Sequence, residues 1–189
     1  MVMDKNKLGL ILSKLEGSYR KYLLQLSLSP ELVADILFNA KKDITNKVVY
    51  NLGCGTGRFA IGSALLGAKA VYGVDIDRTM LDIARENALH VQHMTGIQLS
   101  GLCHWRLKDA FKLYEKCDTV VQFPPINTDI LFFIKALEIA RSAYSIHKPD
   151  REEELRQLAK KYRVKTVKIK RYRLTKGLLH EVILVMAKR

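Results

Sequence analysis

The chain has 189 residues, 48% of them hydrophobic and 27% charged, with 32 Lys and Arg against 19 Asp and Glu for a net charge of +13. That length suits one domain with its own core, and no apolar run approaches the ~20 residues that span a bilayer. Three widely spaced cysteines form neither a disulfide framework nor a metal-ligand pattern, which points to a reducing, cytoplasmic setting, and the surplus of positive charge points to a polyanionic partner.

Residues 1–45 read as a helical extension preceding a main unit over 46–189. Leu8, Ile11, Leu12 and Leu15 share a helical face, and Ser29-Pro30-Glu31 supplies an N-cap, a first-turn proline and a first-turn acid for a second helix. From Lys47 the pattern alternates. Strands are expected over 47–52 and 70–76, helices over 57–67 and 78–91, and a weaker strand over 101–109. A strand over 118–123, a helix over 128–144 and a short strand over 144–147 follow. Asp150 and Glu153 have capping-box spacing for a helix ending near Tyr162, and strands over 164–171 and 179–187 are expected to pair antiparallel. These units predict an α/β fold: a mostly parallel seven-stranded sheet with helices on both faces.

"NLGCGTG" (51–57) follows a buried strand and opens a helix. Gly53, Gly55 and Gly57 allow a sharp turn and a close backbone approach to a ligand at a helix N-terminus. The next strand ends in "GVDID", which places Asp75 where an acid accepts both hydroxyls of a ribose. The glycines run G-x-G-x-G, without the third glycine that a dinucleotide pyrophosphate requires, so the loop suits a cofactor without phosphates.

"NLGCGTG", "YGVDID", "KDA" at 108–110 and the paired prolines 124–125 together resemble the motifs of Rossmann-like S-adenosylmethionine (SAM) methyltransferases. More narrowly, "NKVVYNLGCGTGRFAIGSALLGAKAVYGVDID" and "FFIKALEIARSAYSIHK" resemble the archaeal and eukaryotic family that methylates adenine N6 in small-subunit ribosomal RNA. The resemblance covers about residues 20 to 175. It implies that Asn51, Gly53, Cys54, Gly55 and Gly57 cradle the methionine part of SAM. Asp75 would hold the ribose, Ile76 would pack on the adenine, and Asp109 with Ala110 would meet the exocyclic amine. It also implies a partner, a small zinc-binding activator protein paired along an edge strand, for which "LCHWR" (102–106) is the candidate edge.

The resemblance breaks at the centre. In the family the fourth strand ends in Asn-Pro-Pro-Phe, whose Asn oxygen accepts the target amine and whose aromatic stacks on the flipped base. Here the matching residues are Phe123, Pro124, Pro125 and Ile126. Gln122 has an amide oxygen, but a strand neighbour points to the opposite face unless the strand is bulged. Two further departures are Asn51, where the family carries an acid, and Gln25-Leu26-Ser27-Leu28, which keeps only the Gln of an upstream Gln-Tyr-Pro-Thr motif.

In "KKYRVKTVKIKRYR" (160–173), eight of fourteen residues are basic and none is acidic. Lys165, Lys168, Lys170, Arg171 and Arg173, interleaved with tyrosines, are candidate RNA contacts. His90 and His93 sit three apart on a helix with no third ligand, so no metal site is expected. His147 reads as structural, and Trp105 as a sheet-edge packing residue. Two other functions remain open at this point: a noncatalytic RNA-binding or ribosome-assembly module, and methylation of a protein amide or small molecule.

Overall fold

The computed structural model describes residues 3–15, 28–174 and 180–189. The strands are β1 (Val48–Leu52), β2 (Ala70–Asp75), β3 (Cys103–Leu107), β4 (Cys117–Gln122), β5 (Ala140–His147), β6 (Thr166–Arg173) and β7 (Glu181–Lys188). They form one sheet in the order β3-β2-β1-β4-β5-β7-β6. Every pairing from β3 to β5 is parallel, whereas β7 runs antiparallel between β5 and β6. This is the mostly parallel, helix-covered sheet of the Rossmann-like methyltransferases. Its strand order reverses between β1 and β4, the place where ligands of such sheets bind.

Helices α1 (Lys5–Leu12) and α2 (Pro30–Ile44) carry the pattern read from the sequence, and Ser29 caps α2 by accepting the Leu32 N–H. Leu8 and Leu12 of α1 and Ile36 and Leu37 of α2 are buried in the same core as Val49 of the sheet and Ile61 of α3 (Arg58–Leu65). The opposite face is covered by α5 (Asp129–Ile139) and α6 (Glu152–Lys161) around Phe133, Leu137 and Leu155. Helix α4 (Arg78–Thr95) runs one turn beyond its expected end, stopping at Gly96 in a left-handed C-cap.

Two local expectations fail. The helix expected over 128–144 stops at Ile139, and residues from Ala140 onward form an eight-residue strand instead of a short one. Small and apolar residues at 140–147 fit either periodicity. The space between β4 and β7 decides, because there the backbone pairs on both sides. The capping box also does not form: Pro149–Arg151 makes a 3-10 turn, and α6 begins at Glu152 with no side-chain cap. Glu152, Glu153 and Glu154 fill its first turn and supply the charge that a helix N-terminus favours.

Asp35 fastens the N-terminal helices to the far sheet edge. Its carboxylate accepts from Lys170 Nζ (2.7 Å), Tyr172 Oη (2.7 Å) and Lys5 Nζ (3.0 Å). Burial opposes its ionised form, but the bonds from Lys170, Tyr172 and Lys5 prevail and hold the carboxyl well below the usual carboxylate range. A depressed folded-state pKa stabilises above the unfolded value and is lost as pH falls below it. Asp35→Asn should therefore cost about 1 kcal/mol at pH 7, after discounting for partial exposure and screening. The difference in urea midpoint from wild type should shrink as pH drops below about 4. A pH-independent difference would assign Asp35 a packing role only.

Candidate functional site

The C-terminal ends of β1, β2, β3 and β4 converge on one side of the sheet and carry the expected motif residues. Gly53, Gly55 and Gly57 all adopt positive φ (62°, 51° and 85°), the left-handed conformation that disfavours side chains. Asp75 locks this loop: its Oδ2 accepts the Gly55 N–H at 2.8 Å while its Oδ1 accepts the Asp77 N–H at 3.0 Å. Cys54 N–H bonds to the Val74 carbonyl, and Asn87 of α4 donates to the Thr56 carbonyl. Asp75 is buried to 8% exposure, and desolvation raises its pKa against the pull of the Asp77 and Gly55 amides. A buried carboxylate with spare lone pairs at this place suits two hydroxyl donors.

Asn51 donates from Nδ2 to the Val121 carbonyl at 3.0 Å, stitching β1 to β4. An ionised acid has no proton for that bond, which gives a physical reason for an amide here. Its Oδ1 is buried and unpartnered, an acceptor suited to a ligand ammonium. Ile76 stands 70% exposed beside Asp75 as an apolar shelf. Asp109 Oδ1 accepts the Phe111 N–H at 2.9 Å and so caps the short turn that holds Ala110. A Cβ added at Gly53 would stand 3.3 Å from the Phe132 ring, while one at Gly55 would meet open space. An open cradle, an orphaned acceptor and a ribose-ready carboxylate thus fit SAM. Asn51, the Gly53–Gly57 loop, Asp75, Ile76 and Asp109 are the residues that could hold it.

Trp105 packs as expected: its ring lies against the bare faces of Gly57 and Gly73. Gln25 lies outside the described residues. Sequence reasoning missed Phe111 and Phe132, whose rings meet edge-on at 5.0 Å beside the glycine loop. The double aromatic in "LFFIK" was a visible signal, but helical periodicity selected only Phe133.

The loop after β4 holds Phe123, Pro124, Pro125 and Ile126. β4 pairs with β5 at constant register from Cys117↔Ala140 to Gln122↔Ser145, so no bulge turns Gln122 toward the site. Gln122 is fully buried and donates to Ser145 Oγ at 2.9 Å. Phe123 packs on the opposite core, against the α2 side. Phe123, Pro124 and Ile126 border a shallow recess open to solvent, with room for about one water, together with Asp129, Ile146, His147 and Lys148.

The five candidate RNA contacts do not share a face. Strand alternation sends Lys168 and Lys170 toward α2, and Arg171 and Arg173 toward α6. Lys170 is paired with Asp35, and Arg171 with Glu152. Lys165, Lys168 and Arg173 are exposed and carry no ion pair among the described residues. No group of three or more metal-ligating side chains exists among the described residues, and no helix of the described chain is long and apolar enough to cross a membrane.

Residues 35–126 match the family model for ribosomal protein L11 methyltransferase (PrmA). A curated relative, the zebrafish (Danio rerio) rRNA N6-adenosine-methyltransferase METTL5, is 31% identical over 175 residues, covering 86% of this chain and 83% of that protein. An uncharacterized protein of Methanocaldococcus jannaschii is 41% identical over 136 residues, 66% of this chain, and the match spans 61% of that protein's length. Among solved structures, Pyrococcus horikoshii PH1948, assigned as an RNA methyltransferase, superposes with a TM-score of 0.82 at 26% identity over 100% of this chain and 99% of that one. With its fold, its glycine cradle and a relative that aligns along most of both chains, this protein belongs to the METTL5 family of SAM-dependent rRNA N6-adenosine methyltransferases.

Proposed function

We propose that the chain transfers the methyl group of SAM to RNA, with adenine N6 in small-subunit ribosomal RNA as the target. The observation that carries this reading is the intact cradle, Gly53 to Gly57 locked by Asp75, opening beside the Pro124-Pro125 loop at the β1/β4 reversal. When bound, SAM supplies an electrophilic methyl group on a sulfonium. The protein's part is to hold and aim. Asp75 takes the ribose hydroxyls, Asn51 Oδ1 takes the ammonium, and Ile76 with Phe111 shields the adenine from water. The Phe123–Ile126 loop forms the wall against which the target base is placed.

Phe123 brings no acceptor to that wall, and this favours the second reading, a noncatalytic RNA-binding module. Radiolabelled methyl transfer from SAM to unmodified ribosomal RNA, followed by nucleoside analysis, separates the two. Labelled N6-methyladenosine is expected; SAM binding without any transfer would establish the module. A labelled protein amide or small molecule in place of RNA would overturn both.

Lys165, Lys168 and Arg173 are the proposed phosphate contacts, with the +13 charge as the attracting field. Three such contacts give a slope of log K against log salt of about −2 to −3. Filter binding across a salt series measures it, and a slope near zero would remove RNA as the partner. The outer edge of β3, which pairs on one side only, with β2, is the proposed docking edge for a small zinc-binding activator.

A further inference from the structure

Behind the altered loop sits a buried His–Asp pair with no counterpart in the roles assigned so far. His147 closes β5, and Asp129 opens α5 directly after the loop. Their side chains are 0% and 5% exposed, and His147 Nδ1 lies 3.0 Å from Asp129 Oδ2. A carboxylate only accepts, so Nδ1 carries the proton and Nε2 presents a lone pair. That Nε2 is buried and has no partner. Phe133 meets the ring edge-on at 5.5 Å and fixes its plane. His147 borders the same cavity as Phe123, Pro124 and Ile126, with its ring sealed behind that lining against Phe133, whereas Gln122, which also has an orphaned amide oxygen, does not border it.

We propose that His147, oriented by Asp129, supplies the acceptor for the target amine that position 123 lacks. A buried lone pair without a donor carries an unmet desolvation cost, and an N–H entering the cavity relieves it. Access requires Phe123 and Ile126, both only half-buried, to swing from the mouth. An N–H held by Nε2 turns the nitrogen lone pair out of conjugation toward the methyl group. The nitrogen–carbon bond then forms as the carbon–sulfur bond breaks, with that electron pair staying on sulfur as a neutral thioether. The surplus proton on nitrogen passes to Nε2, the imidazolium is balanced by Asp129, and the proton leaves to water. Burial lowers the pKa of His147 despite the opposing pull of Asp129, so the ring is a neutral acceptor at pH 7.

This inference rests on the methyl-transfer reading above, and one set of variants separates the two. Wild type, His147→Phe, His147→Gln, Phe123→Asn and the double variant Phe123→Asn/His147→Phe are compared for labelled methyl transfer to unmodified ribosomal RNA. SAM affinity and thermal unfolding serve as folding controls. His147→Phe is expected to lower kcat at least about a hundredfold with SAM affinity unchanged, and His147→Gln, which keeps an acceptor near the Nε2 position but cannot take the proton, to recover only part of it. In the Phe123→Asn background, where the loop has its own acceptor, His147→Phe should cost less than about tenfold. The wild-type acid limb of kcat/KM should reflect one proton, lie below the ordinary histidine range, and vanish in His147→Gln. The charges facing the ring are Asp129 from α5, Arg151 and Glu154 from beyond β5, and its neighbour Lys148. An active wild type with an unimpaired His147→Phe, or an equal loss in both backgrounds, overturns the acceptor role alone. An inactive wild type beside an active Phe123→Asn overturns the methyl-transfer reading and the acceptor with it.

Discussion

Asp75→Ala is expected to weaken SAM binding by about a hundredfold or more. The carboxylate is proposed to accept two ribose hydroxyls, and hydrogen bonds to a charged partner contribute about 1.5–3 kcal/mol each. It also holds the Gly55 amide at 2.8 Å and the Asp77 amide at 3.0 Å, so its removal loosens the cradle as well as deleting the ligand contact. Titration calorimetry with SAM and with S-adenosylhomocysteine measures this directly. Asp75→Asn separates the effects, since an amide oxygen can keep one loop bond but loses the charge. An affinity for Asp75→Ala within threefold of wild type would move the ribose elsewhere.

The second large effect belongs to Gly57→Ala. Gly57 sits at φ 85° at the N-cap of α3, and an added Cβ would stand 2.7 Å from Trp105 Cη2 and 3.0 Å from Ala84 Cβ. The left-handed conformation costs a side chain roughly 1–2 kcal/mol, and overpacking a filled contact adds about 1–3 kcal/mol. A loss of about 2–5 kcal/mol in unfolding free energy is expected by urea titration. Trp105 is the sole tryptophan, so its emission should shift as the ring is pushed from Gly57. An unchanged midpoint and spectrum would show that the ring yields freely.

What the sequence revealed was mostly local. A glycine loop between strand and helix, with an acid at the end of the next strand, lies within 51–75 and needs no knowledge of distant partners. The glycine turn and the strand ending at Asp75 were therefore legible. The boundary at Ile139 was not, because the backbone of Ala140–His147 is claimed by β4 and β7 from far along the chain. The basic run was visible as charge, but its division between two faces depends on where β6 begins and on Asp35 and Glu152 waiting in other helices. His147 reads as structural, and its burial against Asp129 and Phe133 agrees with that; the acceptor role proposed for it was not legible. That proposed role depends on Asp129, eighteen residues away on a helix, and on a cavity that no periodicity encodes.

The loop chemistry also shows why one substitution changes so much. Phe123 adds apolar volume on the α2 side, and in the proposed reading it leaves the loop without an acceptor, so stability and chemistry need not move together. A variant can hold its fold and its cofactor and still lose its target.

The placement of β7 bears on how the protein is made. β6 is synthesised before β7, yet it reaches the sheet only through β7, which lies between it and β5. While a ribosome is still extending the chain, β5 has an open side and β6 has no neighbour at all. The parallel half from β3 to β5 can assemble early around α1, α2 and α3, but the sheet closes only after Glu181–Lys188 emerges. Completion is therefore a late step that joins distant parts of the chain, and a nascent polypeptide stalled before β7 exposes the open side of β5 and a wholly unpaired β6 to its neighbours.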